Sequence, residues 1–217
     1  MKGLMLNQYY SVEKSILSYV PLALLAATIL IFFENPVSQR LAAFIPVILM
    51  ATTALEVLKH ESKSGWNKYV LTLPVKRSSV VNSHYLFFAA LTLTGLLIAC
   101  IAFLLAQYVL NLDPSMGYMY AVMNILGITF TLGFIAYPLT YLLGTEKAEF
   151  VIMIGGGAGL GLFFLSAYIY EEFLMTLETL QRFNPDFLFS ASFMVINAVL
   201  FILSYIVSIQ IYKRKEF

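Results

Sequence analysis

Charge is what this sequence has least of. Charged residues make up 12% of the 217 residues, about half of the roughly 25% that is usual in soluble domains. So few charges cannot cover the surface of a water-soluble domain, which excludes that class. The formal net charge is only +1, and this excludes a basic face for nucleic acid.

Residues for catalysis or metal binding are also scarce. Cys100 is the single cysteine, so the chain offers it no disulfide or metal partner of its own. No G-x-x-x-x-G-K-[ST] motif occurs, which excludes a phosphate-binding loop for ATP. His60 and Glu61 do not begin a zinc-protease helix because residue 64 is Ser64. The sequence therefore predicts no catalytic residue, no metal site and no cofactor bound by this chain.

Long uncharged stretches are what the sequence has in abundance. Charged side chains are absent from residues 15–33, 41–55, 85–112, 114–145, 150–170 and 187–212. Several of these stretches exceed the roughly 20 apolar residues that a membrane-spanning helix needs. They are continuously apolar rather than alternating, which favours helices over a barrel. We predict an all-α membrane protein of one domain, residues 1–217, with spans at about 15–33, 41–58, 85–110, 118–143, 150–170 and 187–212.

The positive charges are distributed unevenly between the two sides of the predicted bundle. Eleven lie on the side of the termini, namely Lys2, Lys14, Lys59, Lys63, Lys68, Lys76, Arg77, Lys147, Lys213, Arg214 and Lys215. Only Arg40 and Arg182 lie on the other side. This bias predicts that both termini are cytoplasmic. Since no cleavage site follows the first apolar run, we expect it to be retained as a span.

Two amphipathic segments flank the predicted spans. Near the start, apolar residues recur at helical spacing at Met5, Tyr9, Val12 and Ile16. They predict either a helix over 3–14 in the membrane interface or a frayed tail. On the opposite side, an apolar stripe predicts an amphipathic helix over 171–183, which ends near Asn184 and Pro185. Its apolar residues are Phe173, Leu177 and Leu180, and its acidic ones are Glu171, Glu172 and Glu178.

The longest polar interruption contains a third amphipathic pattern. Trp66, Tyr69, Val70 and Leu73 follow helical spacing and predict a one-faced helix over 61–73 on the side of the termini. Pro74 ends it because proline cannot donate within a helix. Such a face either dips into lipid headgroups or fills a groove on a soluble partner, with Trp66 as the anchor.

Glycine and proline mark positions within the spans. Gly155 with Gly159, and Gly157 with Gly161, form a small-xxx-small pattern that favours close helix packing, or else a flexible gating point. Prolines within spans free backbone carbonyls and mark candidate hinges; these are Pro21, Pro46 and Pro138.

Polar side chains in the spans leave alternatives open. Glu56, with Lys59 and His60 one turn away, predicts a local ion pair or a contact for protons or cargo. Uncharged polar residues either bond between helices or line a path; they are Asn124, Thr129, Thr131, Thr140, Tyr141, Asn197 and Ser204.

Several motifs resemble those of a known family. The run from Glu61 through Trp66 and Pro74 to Arg77, followed by Val80, Val81 and Tyr85-Leu86, is similar to the segment after the second span in ABC-2 type exporter permeases. It most resembles the small six-span subgroup that includes phenol-soluble-modulin peptide exporters. Tyr137-Pro138-Leu139 and Gly144-Thr-Glu146-Lys147 resemble the end of that subgroup's fourth span. His84 is a departure, since lysine is common there.

The resemblance implies a permease in a bacterial cytoplasmic membrane that moves amphipathic or hydrophobic cargo, such as cytolytic or antimicrobial peptides, outward. A separate ATPase subunit would bind ATP and Mg on the cytoplasmic face. A second permease subunit, identical or a close paralogue, would complete the pathway. The resemblance places Glu61, Trp66, Tyr69, Leu73 and Pro74 at the ATPase contact, and Val70 belongs to the same predicted face. The alternative is a nontransporting membrane sensor or immunity subunit that tethers a cytoplasmic partner.

Overall fold

The part of the chain that the structure describes is almost entirely helical. The computed structural model describes residues 2–33, 35–111, 116–174 and 184–214, and within these ranges there is no strand. Six of the helices in the described ranges are long and apolar enough to cross a membrane. The predicted all-α membrane fold with six spans is confirmed.

Seven α-helices lie in the described ranges. In chain order they are α1 (Lys2–Phe32), α2 (Pro36–Ser64), α3 (Trp66–Tyr69), α4 (Arg77–Tyr108), α5 (Met116–Leu143), α6 (Ala148–Ile169) and α7 (Pro185–Arg214). All except α3 are long enough to span. The described chain also has 3-10 turns at Val70–Thr72 and Thr145–Lys147 and a π-helical turn at Tyr170–Leu174. We call the end of the bundle with Lys2 and Arg214 the terminal end, and the other end the far end.

The first helix differs from the prediction. A separate interfacial helix over 3–14 was expected to turn into a span at 15–33, whereas α1 is continuous over 31 residues. Leu4, Gln8 and Val12 are buried along one face at helical spacing. Gln8 Nε2 donates to Ser83 Oγ at 2.9 Å and so holds this turn on α4. At ~46 Å, α1 is longer than the roughly 30 Å hydrocarbon core of a bilayer.

The prolines predicted as hinges lie inside unbroken helices. α1 continues through Pro21, α2 through Pro46 and α5 through Pro138. α2 and α4 approach closely at Pro46, because a β-carbon added to Gly95 would lie 2.7 Å from the Pro46 carbonyl oxygen. A hinge role at these positions stays a prediction.

The fifth helix is the centre of the bundle. α5 packs against α7, α6 and α2, whereas α1 and α6 bury the smallest share of their surface. A cluster of aromatic rings joins α4, α5 and α7. In it the ring centroid of Tyr85 lies 4.6 Å from that of Tyr137 and 5.0 Å from that of Phe201. The core therefore lies around α5, and α1 and α6 are left exposed to lipid or to another chain.

Polar residues bond between helices at several points in this core. Thr131 Oγ1 donates to Asn197 Oδ1 at 2.7 Å and joins α5 to α7. The hydroxyls of Tyr85 and Ser204 lie 2.7 Å apart and join α4 to α7. For these residues the interhelical alternative is the one observed. Thr129 Oγ1 and Asn124 Oδ1, by contrast, are buried and have no hydrogen-bond partner in the described part of the chain.

The predicted amphipathic helix over 171–183 lies largely outside the described residues. Its first part forms the π-helical turn Tyr170–Leu174, and Glu171 and Glu172 are exposed. The Tyr170 hydroxyl donates to the Pro185 carbonyl oxygen at 3.1 Å and joins the far ends of α6 and α7.

Candidate functional site

The segment between the second and third spans is broken at a glycine. Gly65 has φ +72°, the left-handed conformation that favours glycine, and it ends α2 by donating its N–H to the Ser62 carbonyl oxygen. α3 and a 3-10 turn follow, and Leu73 is extended because Pro74 restricts the residue before it. The predicted single helix over 61–73 is therefore wrong. Its first turn belongs to α2, and the remainder is a compact connecting segment, residues 65–76.

The predicted apolar stripe does not lie on one exposed face. Val70 is buried, and Trp66 and Leu73 are half-buried against the core. Tyr69 is 56% exposed and its ring centroid lies 5.5 Å from that of Trp66. Since Tyr69 is the aromatic side chain of the segment that faces outward, it is better placed than Trp66 to anchor a partner. The exposed residues around it are Lys68, Thr72, Pro74 and Val75.

Glu61 faces the interior rather than a partner. It is 5% exposed, and both of its carboxylate oxygens lie 3.1 Å from Nε2 of His84, which is 3% exposed. The other ring nitrogen of His84, Nδ1, lies 2.7 Å from the Tyr141 hydroxyl. A buried carboxylate is costly without a hydrogen-bond partner, and His84 supplies that partner. The three side chains join the end of α2 to α4 and α5.

A small polar cavity lies beside this network. Its volume is about 180 Å³, and Glu61, His84 and Tyr141 form part of its wall. Thr140 Oγ1 lies in the same wall, fully buried and without a hydrogen-bond partner among the described residues. Asn67 and Lys68 of the connecting segment line the cavity from the terminal end. The arrangement places polar, partly unsatisfied groups directly behind the connecting segment.

Further side-chain bonds fasten this region to other helices. Asn67 Nδ2 donates to Thr145 Oγ1 at 2.7 Å and joins the segment to the turn between α5 and α6. Lys59 forms an ion pair with Glu149, joining α2 to α6. Arg77 donates to the Lys213 carbonyl oxygen at 3.0 Å, joining α4 to α7. The connecting segment is therefore bonded directly to the turn between α5 and α6, and the helices on either side of it are bonded to α6 and α7.

Some of these residues were not identified from the sequence. In the sequence, His84 stands out only as a departure from lysine, and Tyr141 only as one of several polar residues on its span. Asn67 and Thr145 carried no signal, because they lie 78 positions apart. One alternative for Glu56 was a local ion pair with Lys59. Lys59 instead forms its ion pair with Glu149.

The two predicted glycine pairs lie in different surroundings. β-Carbons added to Gly155 and Gly159 would lie 3.3 Å from the Leu132 carbonyl oxygen and 3.2 Å from that of Ile128, so this pair lets α6 approach the α5 backbone. β-Carbons added to Gly157 and Gly161 would meet nothing within 4 Å. The second pair therefore leaves a smooth, unoccupied face on α6.

Within the described residues, no group of three or more His, Cys, Asp or Glu side chains is arranged to hold a metal ion.

Comparison with known proteins gives one family. Residues 3–213 match the model of a family described as ABC-2 family transporter protein. Neither the curated proteins nor the solved structures give a significant match.

Proposed function

The chain belongs to the ABC-2 family of transporter proteins and is the permease subunit of an ABC transporter; we propose that it works as an exporter whose connecting segment docks on a separate ATPase. The termini would then lie in the cytoplasm of a bacterium, as the charge bias indicates. ATP and Mg would be bound by the ATPase, because this sequence has no phosphate-binding loop.

One observation carries the proposal: the connecting segment is exposed on one side and bonded to the spans on the other. Tyr69, Lys68 and Pro74 are exposed and available to a partner. Behind them, Asn67 is held by Thr145, and Glu61, at the end of α2, is held by His84. A partner that moves Tyr69 would therefore move the ends of α2, α4 and α5, which is what nucleotide-driven transport requires.

Pairing of two permease subunits is part of the proposal. α1 and α6 are the least buried of the spans, and the open glycine pair of α6 would let another helix approach closely. A closed two-fold pair is the commonest arrangement of such assemblies. The pathway would lie between the two subunits, which are either identical or close paralogues.

The cargo we propose is amphipathic or hydrophobic, with cytolytic or antimicrobial peptides as the first class to test. Of the 217 residues, 15% are aromatic. Many exposed side chains of α1 and α6 are large and apolar, including Leu22, Leu25, Phe150 and Phe164. A path lined by such residues suits amphiphiles better than ions or sugars, because it offers few hydrogen bonds to replace those with water.

The experiment compares ATP hydrolysis by the purified complex with its Tyr69→Ala variant. An affinity-tagged chain is purified from its native membrane and reconstituted, and ATPase activity and subunit ratio are measured. Tyr69→Ala should release the ATPase subunit, since truncating a central aromatic anchor costs about 2 kcal/mol or more. The matched control is Tyr108→Ala, an exposed tyrosine at the far end.

Three outcomes are distinguishable. Loss of the ATPase from Tyr69→Ala, but not from Tyr108→Ala, supports docking through the connecting segment. Equal retention in both variants rules that role out. A bound partner that does not hydrolyse ATP would favour the alternative, a nontransporting sensor or immunity subunit.

A further inference from the structure

A second and larger cavity opens at the far end of the bundle. It has a volume of about 660 Å³ and is enclosed by α2, α5, the end of α6 with the following π-helical turn, and α7. This volume is within the range of about 300–1,000 Å³ that is typical of ligand sites. It is separate from the polar cavity behind the connecting segment, which lies at the terminal end.

The deep part of the cavity is apolar and aromatic. Phe44, Phe163 and Phe189 line it, and Ile128 and Leu160 line the part that is deepest below the mouth. Along α5 the lining runs from Gly117 to Ile128, a rise of ~16 Å for a helix of this length. Half of the hydrocarbon core of a bilayer is about 15 Å thick. The cavity therefore has the depth of one leaflet and the surface of a site for a hydrocarbon chain.

The mouth of the cavity carries charges of both signs. Arg40 lies on one side, and Glu171 and Asp186 lie on the helix ends that complete the rim. All three are exposed, and in the described ranges no ion pair joins Arg40 to either carboxylate. A ligand with a single charge would leave one side of this rim unmatched. A zwitterionic headgroup, with an ammonium and a phosphate, would match both.

An unpartnered amide lies between the charged rim and the apolar wall. Asn124 lines the cavity, and its Oδ1 is buried with no hydrogen-bond partner among the described residues. Asn124 follows Gly117 by two helical turns, or ~10 Å along the axis, which is below the headgroup level. A side-chain amide offers both a donor and an acceptor and can turn either one toward a ligand. Ester oxygens only accept hydrogen bonds, so Asn124 is placed to donate from Nδ2 to the ester groups of a lipid.

Access to the cavity is open from the side. Leu160 and Phe164 line it, yet they are 44% and 67% exposed on α6. An acyl chain could enter between these residues from the bilayer without crossing water. A water-soluble ligand would gain nothing from such an opening.

We propose that this cavity binds one phospholipid of the surrounding leaflet that has an amine-bearing, zwitterionic headgroup. The ammonium faces Glu171 and Asp186, and the phosphate faces Arg40. The ester region lies at Asn124, and one acyl chain packs on the aromatic wall. This site does not depend on the ATPase contact or on the cargo.

The test uses tryptophan fluorescence in the full-length chain. Trp66 is the single tryptophan, so Trp66→Phe combined with Phe163→Trp puts one reporter in the cavity wall. The protein is placed in phosphatidylglycerol nanodiscs that contain a minor fraction of lipid with brominated acyl chains. That lipid is either phosphatidylethanolamine or phosphatidylglycerol. The matched reporter is Leu165→Trp, an exposed position on the same helix outside the cavity.

We expect brominated phosphatidylethanolamine to quench the cavity reporter at a lower lipid fraction than brominated phosphatidylglycerol does. Both lipids should quench the surface reporter equally. Combining Glu171→Gln with Asp186→Asn should weaken phosphatidylethanolamine binding by about tenfold, as for loss of a hydrogen bond to a charged group. Arg40→Gln should leave the preference for phosphatidylethanolamine over phosphatidylglycerol unchanged, because both lipids carry the phosphate. Glu13→Gln, a charge change on α1 toward the terminal end, should have no effect.

Two results would overturn the proposal. Equal quenching of the cavity reporter by both lipids would mean that ordinary boundary lipid fills the space without recognition. Absence of quenching at Phe163→Trp, with normal quenching at Leu165→Trp, would mean that no acyl chain enters. Circular dichroism and gel filtration of each variant confirm that the comparison is made on folded protein.

Discussion

Both carboxylate oxygens of Glu61 lie 3.1 Å from His84 Nε2, in a place where neither residue is more than 5% exposed. The two residues belong to different spans, and Tyr141 on a third span completes the network. The end of α2 that leads into the connecting segment is therefore held by a buried polar contact. This contact therefore joins the end of α2, next to the segment, to α4 and α5.

Breaking this pair should cost more than removing both of its members. His84→Leu leaves a buried carboxylate without its partner, and we expect a loss of about 3–5 kcal/mol in unfolding free energy. Glu61→Leu combined with His84→Leu should recover part of that loss, since no charge is then left unpaired. Thermal unfolding, followed by the fluorescence of Trp66, measures all the variants. Additive losses in the two single variants and the double variant would contradict a direct interaction.

The approach of α2 and α4 should depend on Gly95. A β-carbon there would lie 2.7 Å from the Pro46 carbonyl oxygen and 2.8 Å from Val47 Cα, which are backbone atoms that cannot turn aside. We expect Gly95→Ala to cost about 1–3 kcal/mol. Gly156→Ala is the matched control, because it meets nothing within 4 Å and should be neutral or stabilising by up to about 1 kcal/mol. Equal denaturant midpoints for the two variants would show that the helices separate easily at Gly95.

The bond between Asn67 and Thr145 should matter for coupling more than for docking. Asn67→Ala removes the 2.7 Å hydrogen bond to the turn between α5 and α6 without altering the exposed Tyr69. We expect the ATPase subunit to remain bound while ATP hydrolysis loses its dependence on cargo. Thr145→Ala should give the same result, and Ser64→Ala, which removes an exposed hydroxyl that bonds within α2, serves as the control. If Asn67→Ala instead releases the ATPase, the residue belongs to the docking surface.

The open glycine pair of α6 should affect association rather than folding. Gly157→Leu and Gly161→Leu add side chains where a β-carbon meets nothing within 4 Å, so the melting temperature of the single chain should not fall. If another permease subunit packs on this face, the variants should dissociate the pair. Photobleaching steps of single fluorescently labelled complexes count the subunits. A pair that survives both substitutions would place the interface elsewhere, with α1 as the next exposed span.

The sequence predicts the connecting segment only in part. Helical spacing of Trp66, Tyr69, Val70 and Leu73 correctly located an element on this side of the bundle, yet Gly65 divides it and turns Val70 inward. Periodicity describes which residues share a face if the helix is regular. It does not show which face packs against the rest of the protein. Here most of the residues that were expected to contact a partner pack against the core instead.

The sequence also predicts only in part which glycines pack against a neighbouring helix. Spacing alone treated Gly155 with Gly159 and Gly157 with Gly161 as equivalent, whereas only the first pair packs within the chain. Gly95 has the closest backbone approach of these positions and belongs to no repeated pattern. Whether a glycine is needed depends on the neighbour opposite it, which is a property of the packed bundle.

The sequence by itself determined the number of spans, their helical nature and the distribution of charge between the two ends. Those features follow from the cost of placing charge or unpaired backbone in hydrocarbon, a cost that each stretch of residues meets locally. Only the tertiary structure decided that Glu61 meets His84, that Asn67 meets Thr145, and that four helix ends enclose a cavity with a charged mouth. These contacts join residues that are far apart in the chain, and they depend on helix rotation and spacing, which hydropathy does not encode.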